Sequence, residues 1–290
     1  MTVDGHADWS SDTVDVGGLR LHYAQAGPAD GTPVILLHGF PEFWYSWRYQ
    51  LPALAAAGYR AIAPDQRGYN LSGKQGPYDI ETLTDDIAHL QDALGLTSSH
   101  IVGHDWGGAV AWAFAARYPR RTRRLAILNA PHLNAYQDAL LRHPMQLLKS
   151  WYILFFQLPD LPEWVLRRRD YSSLERSLAQ VDPIHMTPAD IARYKQSWGQ
   201  PDALTAMLGW YRAMGRRAIR QPRLPRLDIT VPTGLIWGLG DPYLDRACNA
   251  TLRRYVSDLR IHYLPGAGHW VQLTCPDETN RLLLDFLRQG

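Results

Sequence analysis

Short apolar runs that alternate with helix-like stretches are the feature that most constrains the fold of this chain. Near-continuous apolar runs are typical of parallel strands that are buried on both faces of a sheet. Six such runs occupy residues 34–37, 61–63, 101–102, 125–128, 234–237 and 261–264. Two earlier runs flank Gly17 and Gly18, a pair that predicts a tight hairpin. Helices are predicted over 82–94, 107–118, 248–256 and 277–287, so the pattern indicates an α/β fold with a mostly parallel sheet of about eight strands.

The alternation stops after Leu128, and no strand signal returns before Ile229. The stretch in between is helical, aromatic and interrupted by prolines. A chain of 290 residues is long enough for one α/β core that carries an insertion. We therefore predict a core over residues 1–132 and 221–290, with a helical lid inserted over 133–220. The arginines at 167–169 of this lid are interpreted as a solvated helix face.

Charge and hydropathy exclude several classes of protein. The 30 Lys and Arg against 28 Asp and Glu give a net charge of +2, too balanced for a nucleic-acid partner. The longest unbroken apolar run covers residues 151–156, whereas a bilayer span needs roughly 18, so no membrane partner is predicted. The N-terminus is polar and does not resemble a signal peptide. Cys248 and Cys275 lack metal-site spacing, so we expect a cytoplasmic protein without a metal.

The sequence Gly-His-Asp-Trp-Gly-Gly at 103–108 lies between a predicted buried strand and a predicted helix. This is the context of a nucleophile elbow, in which small residues allow a strained turn to raise one side chain above the sheet. The apex here is Asp105, where hydrolases of this kind usually have serine. The simpler alternative is that Asp105 only caps the helix.

A carboxylate at the apex indicates a particular chemistry. Serine attacking a saturated carbon would form an ether, which water does not readily release. The carboxylate of Asp105 would form an ester, which can be hydrolysed. The sequence thus predicts displacement at a saturated carbon followed by ester hydrolysis, and it disfavours an esterase or a lipase.

Ester hydrolysis needs a base for water and a group that orients the base. His269 lies in a Gly-rich loop after the last predicted strand, and the chain order nucleophile, acid, histidine is that of hydrolases with this elbow. Asp241, just past a strand end, is the predicted acid, and Asp245 is the alternative.

The loop that follows the strand at 34–37 is predicted to complete the site. In such folds one oxyanion N–H comes from this loop and another from the residue after the nucleophile. These are the backbone N–H groups of Phe40 and Trp106. His38 in the same loop could be mistaken for a catalytic base, but we expect it to support the loop.

These residues resemble the α/β-hydrolase-fold epoxide hydrolases of the soluble type. The resemblance covers nearly the whole chain and includes HGFPEFWYSWRYQLPALAAAGYRAIAPD from His38, GHDWGG around Asp105, LNAP at 128–131 and GAGHW ending at Trp270. It implies an α/β-hydrolase fold and hydrolysis of an epoxide to a vicinal diol without a cofactor. Asn70 stands where the family usually has a second glycine, and we expect the loop to tolerate it.

The resemblance also implies two lid tyrosines that hold and protonate the epoxide oxygen. The segments around Tyr152 and Tyr211 resemble those that carry them, although each tyrosine alone would be read as a core aromatic residue. Trp106, Trp151, Phe155 and Trp210 are predicted to bind substrate, and Phe156 and Trp198 add to an apolar lid. The expected partners are a small apolar epoxide and water. The oligomeric state does not follow from the sequence, and a homodimer is left open.

Two alternatives remain at this point. A dehalogenase of the same fold would use indole donors, such as Trp106 and Trp151, to bind halide. Fluoroacetate dehalogenases, however, have arginines where this chain has Trp106 and Ala109. A non-catalytic ligand-binding homologue should lack part of the triad, and this chain lacks none.

Overall fold

The computed structural model of the chain describes residues 9–178, 181 and 184–289. The polar N-terminal residues 1–8, on which the expected absence of a signal peptide depends, lie outside that part of the chain. No helix among the described residues has both the length and the apolar character needed to cross a membrane. The cytoplasmic location stays a prediction.

Eight strands form one sheet in the order β1-β2-β4-β3-β5-β6-β7-β8. The strands β1 and β2 pair antiparallel through the hairpin predicted at Gly17 and Gly18, and β2 pairs antiparallel with β4. Every other neighbouring pair is parallel. The strands are β1 Trp9–Val16, β2 Leu19–Ala26, β3 Thr32–Leu37, β4 Tyr59–Pro64, β5 Ser99–His104, β6 Thr122–Leu128, β7 Thr233–Gly238 and β8 Leu259–Leu264. The predicted mostly parallel sheet is confirmed.

Helices cover the sheet and form the segment between β6 and β7. Those of the core are α1 Gln50–Ala56, α2 Ile80–Ala93, α3 Asp105–Arg117, α10 Val271–Thr274 and α11 Pro276–Leu287. Those between β6 and β7 are α4 Leu133–Arg142, α5 Pro144–Lys149, α6 Trp151–Phe155, α7 Leu161–Leu178, α8 Pro188–Trp198 and α9 Ala203–Arg220. The helix α7 is interrupted by non-helical backbone from Arg168 to Tyr171. The described residues of 133–220 therefore form helices and connecting turns where the sequence predicts a lid, and the division into domains stays a prediction.

Alternating side chains of the central strands supply two separate cores. In β3, Ile35 and Leu37 belong to the larger cluster, whereas Val34 and Leu36 belong to the smaller cluster on the other face. This follows from the two-residue period of a strand. Because both faces are covered, the strands appear in the sequence as continuous apolar runs. Because the strands are parallel, their carboxyl ends lie at one edge of the sheet.

Two local predictions are wrong. The segment predicted as a helix over 248–256 forms two short 3₁₀ turns, Arg246–Asn249 and Leu252–Arg254. Tertiary contacts divide it, since the Thr251 hydroxyl donates to Asp138 of α4 and Val256 forms an isolated bridge with Ile229. The strand β8 is also not buried on both faces: it lies at the sheet edge and only its first residue is buried.

Candidate active site

A sharp turn between β5 and α3 raises Asp105 above the carboxyl edge of the sheet. Asp105 has a backbone φ of 49°, in the left-handed region that non-glycine residues rarely adopt. A Cβ at Gly107 would lie 2.1 Å from the Leu37 carbonyl oxygen, and one at Gly39 would lie 2.4 Å from the Asp105 Cβ. Glycine at both positions lets the β3 loop and the turn approach this closely.

The two oxygens of the Asp105 carboxylate have different partners. The backbone N–H of Phe40 donates to Oδ1 at 2.8 Å. His269 places Nε2 at 3.5 Å from Oδ2. The N–H of Trp106 lies in the first turn of α3, where no intrahelical acceptor exists, so it is free to bind an anion. The carboxylate is therefore held at one oxygen and faces an imidazole with the other.

His269 is oriented by Asp241. Its Nδ1 donates to Asp241 Oδ2 at 2.7 Å, and both side chains are buried. The same oxygen accepts from Asn129 Nδ2 at 2.8 Å, and Asp241 Oδ1 accepts backbone N–H groups of the following turn. Asp245, the alternative acid, instead caps the turn Arg246–Asn249 through its contact with the Ala247 N–H. Asp241 is thus the acid that contacts the histidine.

The charges of these three groups support one another. Burial favours the neutral acid at Asp105, but His269 and the Phe40 N–H outweigh it and lower the pKa of the carboxyl. Burial likewise opposes charge on Asp241, and its pKa is also lowered, chiefly by His269. For His269 burial lowers the pKa, yet the two carboxylates outweigh it and raise the pKa to about 10. The resting site therefore holds an imidazolium between two carboxylates.

Two lid tyrosines meet above the carboxylate. Tyr152 on α6 and Tyr211 on α9 have ring centroids 6.1 Å apart, although they are 59 positions apart in the chain. Burial raises the pKa of both hydroxyls well above the usual value. Tyr136 and Asp105 reinforce the rise at Tyr152, and Tyr152 and Asp105 reinforce it at Tyr211. Each therefore keeps its proton at neutral pH.

An aromatic group surrounds Tyr211. Its ring lies 5.0 Å from Trp106, 5.3 Å from Phe40 and 5.0 Å from Phe156. Phe156 also contacts Tyr152, at 5.7 Å. The structure thus brings Asp105 together with the predicted His269, Asp241, Phe40, Trp106, Tyr152 and Tyr211.

Other predicted pocket residues lie elsewhere. The Trp151 side chain is 65% exposed, and its ring contact is with Phe155, which is itself half-buried. Trp210 is buried, but its Nε1 donates to the Arg67 carbonyl, so it packs behind Trp106. Trp198 similarly donates to the Pro41 carbonyl and ties the lid to the core. Of the aromatic residues at 155 and 156, the one that faces the tyrosines is Phe156.

A cluster of buried polar residues behind the site was not predicted from the sequence. Glu42 accepts from the Gly39 N–H at 2.9 Å, from His104 Nδ1 at 2.7 Å and from Gln272. His104 Nε2 lies 3.0 Å from the His269 carbonyl oxygen. This cluster links the loop after β3 to His104, the residue before Asp105, and to His269. The signal that could have found it is that Glu42 and His104 lie at the carboxyl ends of adjacent strands.

His38 has the supporting place that the sequence predicts. Its Nδ1 donates to the Gly39 carbonyl and its Nε2 accepts the Gln66 N–H, so neither nitrogen faces Asp105. Burial lowers the pKa of His38, as expected for a neutral structural imidazole. Among the described residues, no group of three or more His, Cys, Asp or Glu side chains could hold a metal ion.

Comparisons with known proteins agree with this arrangement. The model of the alpha/beta hydrolase fold family matches residues 32–276. The AB hydrolase superfamily protein YfhM of Bacillus subtilis is 43% identical over 95% of this chain and 96% of its own length. Epoxide hydrolase 3 of Xenopus tropicalis is 36% identical over 100% of this chain and 80% of its own length.

A solved structure gives the same result in three dimensions. An epoxide hydrolase from Bacillus megaterium, in complex with an inhibitor, superposes with a TM-score of 0.87 and 30% identity. The match covers 96% of this chain and 100% of that one. The chain therefore belongs to the α/β-hydrolase fold family and, within it, to the epoxide hydrolases.

Proposed function

We propose that this enzyme hydrolyses an apolar epoxide to a vicinal diol through a covalent ester on Asp105. The observation that carries the proposal is the unequal environment of the two carboxylate oxygens. Oδ1 accepts the Phe40 N–H, whereas Oδ2 has no donor closer than the imidazole at 3.5 Å. Oδ2 is therefore the attacking oxygen, and Oδ1 becomes the carbonyl oxygen of the ester.

In the first step Oδ2 forms a bond to an epoxide carbon as that carbon's bond to the ring oxygen breaks. The leaving oxygen takes a proton from Tyr152 or Tyr211, which leaves a phenolate. The lowered pKa of Asp105 keeps the nucleophile ionised, and the raised pKa values keep the tyrosines protonated. Asp105 is therefore ionised and the two tyrosines are protonated over the same range of pH.

Ester formation also prepares the base. Asp105 becomes neutral, so one of the two charges that raise the pKa of His269 is lost. The imidazolium can then return a proton to the phenolate, and the neutral Nε2 faces the ester. Asp241 holds the ring in place throughout, through the 2.7 Å bond to Nδ1.

In the second step Nε2 takes a proton from water as the hydroxide adds to the Asp105 carboxyl carbon. The negative charge appears on Oδ1, where the N–H groups of Phe40 and Trp106 stabilise it. Collapse breaks the bond between the carboxyl carbon and Oδ2, and the departing alkoxide takes the proton of the newly added hydroxyl, which completes the diol and restores the Asp105 carboxylate. The water oxygen stays in Asp105, and the enzyme returns to its starting charge state.

The aromatic surroundings support an apolar substrate. Phe40, Trp106, Phe156 and the two tyrosines converge on the carboxylate, which is 17% exposed. A variant of the Bacillus megaterium relative has been solved with its product, (R)-3-[1]naphthyloxy-propane-1,2-diol. An aryl or alkyl epoxide with one unsubstituted carbon is the substrate class we propose for this chain.

The geometry does not favour the two alternatives. A dehalogenase was expected to use Trp106 and Trp151 as halide donors, and the exposed position of Trp151 removes one of them. A non-catalytic binder has no need of an imidazole between two carboxylates. The aligned triad and paired tyrosines support catalysis of epoxide opening.

A single turnover in ¹⁸O-labelled water, with enzyme in excess over styrene oxide, tests the ester. We expect an unlabelled diol and one ¹⁸O in the peptide that contains Asp105, measured by mass spectrometry. Enzyme incubated in the same water without epoxide is the control and should stay unlabelled. Label in the diol of the first turnover would mean direct attack by water and would refute the covalent mechanism.

A further inference from the structure

The lid carries a run of large apolar side chains that face solvent. Nine of them, between residues 141 and 164, are 44% to 81% exposed: Leu141, Met145, Leu147, Leu148, Trp151, Leu154, Leu158, Leu161 and Trp164. We call these residues the apolar lid face. Soluble proteins commonly expose single apolar residues, but a group of this density marks an interaction surface.

The spacing of the apolar lid face is helical. Apart from Leu147, its members recur every three or four positions from the end of α4 through α5 and α6 to the beginning of α7. The partly buried Tyr152 and the buried Phe156 of the same stretch point the other way, into the site. Helices that are apolar on all sides are normally covered on all sides. The outer side therefore needs a partner, which the reaction does not supply.

Positively charged side chains border the apolar lid face. Residues 139–159 include no acidic residue, and their exposed cation is Arg142, since Lys149 is engaged by Asp245 and the Asp241 carbonyl. The exposed arginines 167–169 follow Trp164, and the Arg168 guanidinium lies 4.4 Å from the centre of the Trp164 ring. Of the nearby acids, Glu163 is engaged by Arg212 and Asp170 by Lys195, and Asp160 is exposed. The surface thus combines leucines, two tryptophans and a cationic border.

We propose that the apolar lid face docks on an anionic lipid bilayer and lies in its interfacial layer. Leucine and tryptophan side chains with arginine at the border are the composition that binds such a layer. Each cation near a negatively charged bilayer surface adds to the attraction. The sequence predicts no membrane partner because no apolar run is long enough for a span. No described helix is long and apolar enough either, but surface docking requires no span.

A second copy of the chain fits the charges less well. A two-fold interface places the same patch of each subunit against the other. Arg142 and the arginines at 167–169 outnumber the exposed Asp160 and Asp170, so this patch is net positive and two copies of it would repel each other. An anionic bilayer satisfies both the apolar and the cationic parts of this face. The proposal is independent of the chemistry at Asp105.

Co-sedimentation with vesicles tests the proposal. The full-length enzyme is mixed with vesicles of phosphatidylcholine alone or of equimolar phosphatidylcholine and phosphatidylglycerol. We expect binding to the phosphatidylglycerol vesicles that weakens as ionic strength rises, and weaker binding to phosphatidylcholine. Absence of binding to either vesicle at low ionic strength would overturn the proposal.

Variants separate the apolar and cationic contributions. Leu148→Gln with Leu154→Gln removes apolar surface while keeping good helix formers, and Arg168→Glu with Arg169→Glu reverses charge. Each pair should lower the partition coefficient about tenfold or more. Leu71→Gln and Arg120→Glu, at exposed positions of the core, are the matched controls and should bind like the wild type.

Two further outcomes would count against a bilayer. Binding that the leucine variants leave unchanged would indicate a general charge effect without insertion, and the proposal would be wrong. A dimer in light scattering that Leu148→Gln with Leu154→Gln dissociates would assign the face to a second copy instead. Turnover of a water-soluble epoxide should be the same in all variants, which verifies that the site remains folded.

Discussion

At the scale of single residues, His269 lies between two carboxylates, and we propose a different task for each contact. Asp241 orients the ring through Nδ1, and Asp105 faces Nε2. The sequence left Asp241 and Asp245 as alternatives because both follow β7 within seven positions. Only the path of the chain after β7 decides which aspartate meets His269, since Asp245 caps the turn that follows it.

Replacing the base should separate the two steps. His269→Gln retains a side chain of similar reach but cannot deprotonate water, so the ester should form and persist. General base catalysis is typically worth about 10² to 10⁴ in rate, and hydrolysis should slow by that order. Intact-protein mass spectrometry should show enzyme plus substrate accumulating. A folded variant that fails to alkylate would place His269 in the first step.

At the scale of secondary-structure elements, the position of the two proposed proton donors depends on how α6 and α9 meet. Tyr152 on α6 and Tyr211 on α9 converge because the lid is fastened to loops of the core. Trp198 donates to the Pro41 carbonyl and Trp210 to the Arg67 carbonyl, so the lid is held directly over the oxyanion loop.

Removing both hydroxyls should nearly abolish epoxide opening. Tyr152→Phe or Tyr211→Phe alone should cost about tenfold in single-turnover alkylation, and the double variant about 10² or more. An opening epoxide develops an alkoxide that needs a proton, whereas bromide leaves without one. Displacement from an alkyl bromide, where measurable, should therefore change much less. Tyr255→Phe, at a hydroxyl that contacts Asp138, is the control. If the double variant opened epoxides at nearly the wild-type rate, the two tyrosines would have only a structural role.

The elbow between β5 and α3 should not tolerate a methyl group. Alanine ordinarily favours a helix over glycine, but a Cβ at position 107 would lie 2.1 Å from the Leu37 carbonyl oxygen. We expect Gly107→Ala to lower the free energy of unfolding by about 3 kcal/mol or more, measured by urea denaturation. Gly266→Ala, where no atom lies within 4 Å of the added Cβ, should change it by less than about 0.5 kcal/mol. Equal effects at both positions would contradict this reading.

At the scale of the whole molecule, the charged site should make stability depend on pH. The pKa of His269 is raised from 6.5 to about 10, so the folded state binds a proton that the unfolded state releases above pH 6.5. This contribution is fully present below pH 6.5 and is lost as the pH rises towards 10.

Unfolding in urea at a series of pH values measures this effect. Between pH 6.5 and 10 the free energy of unfolding should fall, with His269 contributing at most about 1.4 kcal/mol per pH unit. His269→Gln should show a shallower slope over the same range, while Gly266→Ala should keep that of the wild type. If the free energy of unfolding changed with pH in the same way in His269→Gln and in the wild type, the imidazole would be neutral in the folded state.

The sequence by itself determined the parts of this protein that depend on local chemistry. A buried strand, small residues and an aspartate in succession predict the elbow at Asp105, because a turn this tight excludes most side chains. The parallel sheet followed from apolar runs, since strands covered on both faces have no polar side. Asn70 at φ 40° bears out the expectation that it would take the place of a glycine.

Only the tertiary structure decided which side chains of the lid face the carboxylate. Residues 151–156 are almost uniformly apolar, so no periodicity distinguishes an inner side from an outer one. Docking onto the core turned Tyr152 and Phe156 inward and left Trp151 and Leu154 in solvent. The same holds for residues 248–256, where contacts with Asp138 and Ile229 replaced a helix that local spacing favours. In both segments the free energy of long-range packing exceeds the small local preferences that a sequence pattern records.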